Sequence, residues 1–378
     1  MRRLLQKILL KPILWASNKF ASRPLRDRIF PALSELYKNI REEPGKKGIV
    51  LTVKEKSRYI VFSDQHRGAR NGADDFANAE PNYLAALNYY FENKFQFISL
   101  GDSEELWENS LSKVKKNNTA TFEAEKKFIN ENRFFKIFGN HDLYWANDPL
   151  AWIQIKAIFG KKIKVFEGII LQWSGGSRKS TASNNQLEDL QEADGKFEVF
   201  LTHGHQGDIA SDGNWFSKFF VSNIWAPLQA YLRINPNTPA YDEEKKTEHN
   251  NIMYEWSARQ KELILITGHT HQPVFESLTH LERIYKQLSI AISDKKTDEI
   301  VAMEAELKRR RREYKSVSDQ YIKMKPSYFN SGCCCFVDGD CTGIEITYNK
   351  ISLIKWSSEK RREVLEEVEL SELLPLLQ

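Results

Sequence analysis

The sequence predicts a layered domain of the α/β or α+β kind. Short apolar, β-branched runs alternate with segments of helical length. Five of those runs end in carboxylate, amide or imidazole side chains. Ligands in such folds collect beyond the carboxyl ends of strands, so the residues just past each run carry the chemistry.

Composition sets the bounds. With 378 residues, 41% of them hydrophobic, the chain can bury one large core and carry substantial inserts. Aromatics at 12% argue against disorder over most of the length. A net charge of +4, with 28% charged residues, is too small and too balanced for a dedicated nucleic-acid binder. Cys333, Cys334, Cys335 and Cys341 read as small hydrophobes of a buried strand in a reducing, cytoplasmic compartment, in preference to a metal or redox site. Neighbouring strand residues face opposite sides, so the triplet lacks a CxxC-type chelate.

Along the chain, residues 1–50 form a helical N-terminal segment ending in the turn EEPGKKG. Its first twenty residues are basic and leucine-rich but interrupted by Lys7, Lys11 and Pro12, too short and charged to span a membrane. They suit either an amphipathic helix on an anionic lipid surface, at the inner face of a membrane, or a helix packed on its own domain. One domain, 51–378, comes next. RYIVFS (58–63) is its first strand, 81–94 a helix, and FQFISL (95–100) the next strand. A lysine-rich helical stretch leads to the strand FFKIF (134–138), then to a helix over 149–160 and the strand pair KIKVFEGIILQW. The Ser/Gly/Asn-rich loop 174–185 precedes FEVFL (197–201). An insert at 209–260 is aromatic in its first half and polar in its second. After it come the strand LILIT and a charged helical insert at 281–322, whose arginine run reads as a solvated face. Strands separated by DGD and YNK turns close the chain.

The strand ends share one kind of chemistry. Asp64 and His66 lie past the first, and Gly101 and Asp102 past the second. Gly139, Asn140, His141 and Asp142 lie past the third, His203, Gly204 and His205 past the fourth, and Gly268, His269, Thr270 and His271 past the fifth. A lone Asp after a strand is commonly a helix cap, and a lone buried His is commonly satisfied within the core. Six of the eight histidines falling in these motifs is a different matter, and they form the N/O ligand set of Zn, Mn or Fe. Two divalent ions about 3.5–4 Å apart need a shared anionic oxygen, which an aspartate on a Gly-Asp turn can supply. Asp102 is the natural bridge. Asp64 and His66, one residue apart in extended backbone, can face one ion together, and Asn140 offers a neutral oxygen.

The motifs D-x-H, G-D, G-N-H-D, H-G and G-H-x-H, in this order over residues 64–271, resemble the calcineurin-like metallophosphoesterase superfamily. The resemblance implies a four-layer α/β/β/α sandwich with helical inserts and two divalent metal ions, Mn²⁺ foremost, with Fe or Zn as alternatives. It places Asp64, His66 and His271 on one ion, Asn140, His203 and His269 on the other, and Asp102 between them. His141 would stabilise phosphoryl charge or protonate the leaving oxygen, Asp142 would orient it, and a metal-bridging hydroxide would attack phosphorus. The expected partner is a phosphorylated or pyrophosphate-containing substrate, and no nucleic acid.

A narrower resemblance is to the UDP-2,3-diacylglucosamine pyrophosphohydrolases. It rests on Glu105 and Trp107 in GDSEELW and on the aromatic insert before GHTH. It implies a lid in which Trp215 and Phe219 receive acyl chains. The chain departs from that subgroup at His141, where the subgroup has arginine, and at Gln272, where it has arginine before proline. Arg67 and Arg70, beside the first motif, are candidates to clamp phosphate. The alternatives are a serine/threonine or general phosphomonoesterase or phosphodiesterase with a more open groove, and a non-catalytic metal-binding scaffold.

Overall fold

The structure, a computed structural model, describes residues 24–71, 74–173, 197–207, 243–294, 300, 303, 324–357 and 359–378. The basic stretch 1–23, the loop 174–185, Trp215 and Phe219 with the aromatic half of their insert, and most of the 281–322 insert lie outside the described residues.

Among the described residues the strands form two seven-stranded sheets. In spatial order the first holds β1 (Gly48–Val53), β6 (Gly168–Trp173), β7 (Glu198–Thr202), β8 (Leu263–Thr267), β11 (Tyr328–Asn330), β9 (Val274–Phe275) and β10 (Leu278–Thr279). The second holds β14 (Arg362–Glu369), β13 (Lys350–Trp356), β12 (Cys341–Thr347), β2 (Arg58–Phe62), β3 (Gln96–Leu100), β4 (Phe134–Ile137) and β5 (Val165–Phe166). The run β2–β3–β4–β5 is parallel, as are the pairs β7–β8 and β8–β11.

Side-chain alternation builds the layers. Tyr59 and Val61 of β2 join Ile98, Leu100, Leu201 and Ile266 in the core between the sheets. Their neighbours Ile60 and Phe62 face away, under the helices α2 (Glu80–Glu92), α3 (Thr119–Asn130) and α4 (Ala151–Phe159). On the first sheet, Phe200 and Leu265 face outward against α1 (Arg26–Glu42) and α5 (Glu243–Ala258). Ile29, Leu33, Leu36 and Ile40 of α1 recur at helical spacing on one buried face. Fully burying each contributes roughly 1.5–3 kcal/mol. This is the α/β/β/α sandwich that the motif resemblance implies, and α1 makes the second half of the N-terminal segment one of its layers.

Two details differ from the sequence reading. β1 is an unforeseen strand, pairing parallel to β6 at the sheet edge, where Ile49, Val50 and Leu51 stay half-buried. The cysteine triplet is not in a strand: β11 ends at Asn330, and Gly332 takes a left-handed φ of 74°. Of the charged insert, α6 (His280–Ser293) opens on a capping box between Thr279 and Glu282. Among the described residues no helix is long and apolar enough to cross a membrane.

Candidate metal centre

Both sheets deliver their motif loops to one edge. The second sheet supplies Asp64 and His66 after β2, Asp102 after β3, and Asn140 and His141 after β4; the first supplies His203 after β7 and His269 and His271 after β8. The loop after β2 is laced to that after β3, with the N–H groups of Asp64, His66 and Arg67 donating to the carbonyls of Gly101, Asp102 and Ser103 at 3.1, 2.9 and 3.1 Å. The sheets are joined by Asp64, whose Oδ2 accepts the His269 N–H at 3.0 Å.

The backbone here is held in an unfavourable region. Asp64, His66, Asp102, His269 and His271 have φ of 54°, 48°, 50°, 70° and 57°. Left-handed φ at a non-glycine residue costs of order 1–3 kcal/mol and persists only where surrounding structure over-determines it. The motif glycines serve close approach. A Cβ at Gly139 would overlap the Asp102 carboxylate, and one at Gly268 the Asp64 carboxylate.

The side chains collect into two groups that meet at Asp102. In the first, His271 Nε2 lies 3.2 Å from Asp64 Oδ1 and 3.1 Å from His66 Nε2. In the second, the ligand atoms of Asp102, His203 and His269 lie within 4.8 Å of one another. Asp102 Oδ2 is 3.1 Å from His203 Nε2 and 3.7 Å from His66 Nε2, so it stands between the groups. Its other oxygen accepts the His141 N–H at 2.8 Å. Asn140 lies between two residues that touch Asp102, with its Oδ1 buried and lacking a hydrogen-bond partner among the described residues.

The ring orientations suit cations. His203 Nδ1 is 2.9 Å from the Leu100 carbonyl, and His66 Nδ1 is 2.9 Å from Glu105 Oε2, which leaves both Nε2 atoms facing inward. His203 Nε2, Asp64 Oδ1 and Asn140 Oδ1 are all buried and hydrogen-bond to nothing described. Groups of this polarity are rarely left so unless an ion or water completes them. Burial disfavours the imidazolium of His203, yet Asp102 and Asp64 outweigh it and raise its pKa to about 9. At His271, burial is likewise outweighed, by Cys333 and Asp64, again to about 9. The carboxylates draw positive charge to this point, and the residues present fit a pair of divalent cations.

His141 stands beside the first group, its ring 4.6 Å from that of His66 and stacked on Trp107 at 4.8 Å and 20°. Trp107 is fixed in turn by donating Nε1–H to the Asn140 carbonyl at 2.5 Å. The residue beside the His141 imidazole is Glu105, whose Oε2 lies 2.7 Å from Nδ1. Asp142, expected in that place, instead accepts the backbone N–H groups of Gly139 and Ser103 and so ties two motif turns together. Burial pushes its carboxyl up to about 6, against Lys136.

The two arginines also have other work. Arg67 is fully buried, with its guanidinium on Glu125 at 2.7 Å, Glu104 at 2.5 Å and the Ser103 carbonyl at 3.0 Å, so it cannot reach a phosphate. The left-handed turn at His66, φ 48°, sends the two side chains apart. Arg70 is held by Glu80, Asn118 Oδ1 and the Asn117 carbonyl.

Two contributors are not assigned a role from sequence. One is Glu105, which the sequence marks only as part of the GDSEELW motif, with no contact to a histidine implied. The other is Asn330 at the end of β11, whose Nδ2 donates to the Gly268 carbonyl at 2.6 Å and braces the GHTH turn. A cavity of about 330 Å³ opens beside His205, lined also by Lys47, Phe138, Asn147, Glu167 and Gln206. The His205 and His203 rings are 5.4 Å apart, which connects this space to the ligands.

No family model and no curated relative matches the sequence. Several solved structures are similar to the chain. A predicted phosphoesterase from Streptococcus pneumoniae TIGR4 is 13% identical, with 83% of this chain and 97% of that one covered and a TM-score of 0.27. Vacuolar Protein Sorting 29 from Cryptosporidium parvum is 12% identical, with 83% and 97% covered and a TM-score of 0.29. A cold-active protein tyrosine phosphatase is 10% identical, with 91% and 85% covered and a TM-score of 0.33. These likenesses are distant, and the functional reading rests on the chain's own geometry. In layer architecture the chain is the α/β/β/α sandwich that its motif order implies, with the motif residues gathered at one sheet edge.

Proposed function

We propose that the chain is a hydrolase of phosphoester or pyrophosphate bonds that works with two divalent cations, Mn²⁺ foremost. The observation that carries this reading is Asp102, whose carboxylate stands between two groups of imidazole and carboxylate ligands. When bound, paired cations neutralise phosphoryl oxygens and lower the pKa of water. The chain's own residues do the rest. Asp64, His66 and His271 hold one cation, Asn140, His203 and His269 the other. His141, stiffened by Trp107 and beside Glu105, is placed to bind a phosphoryl oxygen or hand a proton to the leaving group. Arg67 and Arg70 take no part.

The test is hydrolysis of p-nitrophenyl phosphate and its bis-ester with added Mn²⁺. Asp102→Ala and Asn140→Ala are expected to abolish turnover while leaving the far-UV circular dichroism unchanged. Activity equal to the parent in either variant overturns the assignment.

For the substrate, we favour a lipid-linked nucleotide sugar pyrophosphate over a phosphoprotein or small monoester. Support comes from Trp107, which sits against His141, and from the aromatic composition of the 209–260 insert with Trp215 and Phe219. The basic N-terminus would then meet the membrane surface that carries such a lipid. On this reading, polar substitution of Trp215 and Phe219 raises KM for a diacylated nucleotide sugar far more than for the chromogenic ester. Equal effects favour the reading of the insert as additional core.

A further inference from the structure

The four cysteines divide into two pairs by environment. Cys334 and Cys341 lie in the apolar core beneath α2, their thiols 3.7 Å from the carbonyls of Thr342 and Ala79. Small hydrophobe is a sufficient account of both. Cys333 and Cys335 belong to none of the apolar cores, although they are only 1% and 8% exposed. Two positions apart, they turn to the same side, and that side is occupied by His271. Cys335 Sγ lies 3.8 Å from His271 Nδ1, and the three ligand atoms of Cys333, Cys335 and His271 lie within 4.8 Å of one another. A tetrahedral zinc with Zn–S near 2.3 Å and Zn–N near 2.0 Å holds its ligand atoms roughly 3.5–3.8 Å apart. The cluster is therefore close to that spacing before any adjustment.

We propose that Cys333, Cys335 and His271 Nδ1 form a separate site for a soft cation such as Zn²⁺ or Cd²⁺, abutting the N/O centre. Thiolate sulfur discriminates by softness, so Mn²⁺ is poorly held there. On binding, both thiols give up their protons to solvent and the cation takes the sulfur lone pairs. The shared imidazole makes the two sites antagonistic. A neutral ring has one lone-pair nitrogen, and His271 Nε2 is the atom that faces Asp64 and His66. When Nδ1 binds the soft cation the remaining proton sits on Nε2, and the neighbouring cation loses a ligand. That antagonism rests on the hydrolase reading; the site itself does not.

The experiment titrates the metal-free full chain with Cd²⁺ and tracks thiolate-to-metal charge-transfer absorption in the near ultraviolet. One equivalent is expected to raise the band. Cys333→Ser/Cys335→Ser loses it, while Cys334→Ala and Asp102→Ala keep it, the latter because the N/O centre is not its source. His271→Gln keeps both thiols and weakens binding, which guards against a folding defect in the double variant. Absence of the band in the parent chain, or its persistence in the double serine variant, overturns the proposal. In the Mn²⁺-loaded parent, Zn²⁺ is expected to inhibit phosphoester hydrolysis, and the double serine variant to resist it. Lack of any hydrolysis would count against the functional reading and leave the absorption result to decide the site.

Discussion

Glu105 places one carboxylate oxygen between two imidazoles, 2.9 Å from His66 Nδ1 and 2.7 Å from His141 Nδ1. Burial raises a carboxyl pKa, but His141 and His66 outweigh burial here and hold this one down to about 2. It is therefore an anion that orients the His66 and His141 imidazoles together. Removing the partner of a ligating histidine commonly costs about 10–100-fold in metal affinity or activity. Glu105→Gln keeps the shape and loses the charge, so both the Mn²⁺ concentration at half-activation and kcat should suffer by that order. The measurement is turnover against Mn²⁺ concentration; a lower Tm with an unchanged Mn²⁺ midpoint would reduce Glu105 to a packing residue. At this scale the gathering of these polar residues was legible because a polar side chain closing an apolar run has few structural reasons to be there. Arg67 and Asp142 were misplaced because sequence neighbours share a loop without sharing a face. The chain step that aims His66 inward aims Arg67 at Glu125.

The elements bring a second charged cluster together beneath the first. Arg67 from the β2 loop, Glu104 from the β3 loop, Glu125 from α3 and Lys136 from β4 are each buried, with Lys136 Nζ 2.9 Å from Glu104 Oε2. Burial would raise the Glu104 pKa, yet Lys136 and Arg67 overcome it and hold the carboxyl down to about 2. For Glu125 burial wins over Arg67, and its pKa is raised. Taking one partner from a buried pair typically costs about 3–5 kcal/mol, because the other charge is left uncompensated. Arg67→Met should lose that much in urea unfolding, and the added change Glu125→Gln should restore part of it; a loss near zero would show that the cluster is solvated. The depressed Glu104 adds a sign for pH. Its contribution is present above its ordinary value of 4.5 and is lost as pH falls through about 2. Stability measured over that range should therefore fall less steeply in Glu104→Gln. None of this cluster is legible in the sequence, since its members are spread over four elements with no shared motif. The strands that carry it are legible, through their alternation of inward and outward apolar residues. β1 escapes that reading because an edge strand with half-buried residues lacks the contrast between its faces.

At the scale of the whole molecule, the candidate ligands come from both sheets. Asp64, His66, Asp102 and Asn140 belong to loops of the second sheet, His203, His269 and His271 to loops of the first. The inter-sheet core of residues such as Val61, Leu100, Leu201 and Ile266 sets their mutual position from below. Cations at the edge would clamp the same two sheets from above. A chain whose ligands lie on both sheets cannot hold the cations once the sheets part, so binding is selective for the folded state. The gain is then RT ln(1 + [L]/Kd), about 2.7 kcal/mol at one hundred times Kd. For a chain of this size that corresponds to a rise of a few degrees in Tm. Added Mn²⁺ should raise Tm and excess chelator should reverse it. Asp102→Ala, which also relieves the buried carboxylate at the centre, should remove the dependence on Mn²⁺ without abolishing the transition. If the cation instead bound within the loops of one sheet, a variant of the other sheet would leave the shift intact. Comparing Asp64→Ala with His203→Ala separates the cases: a clamp loses most of its shift in both, a one-sided site in only one.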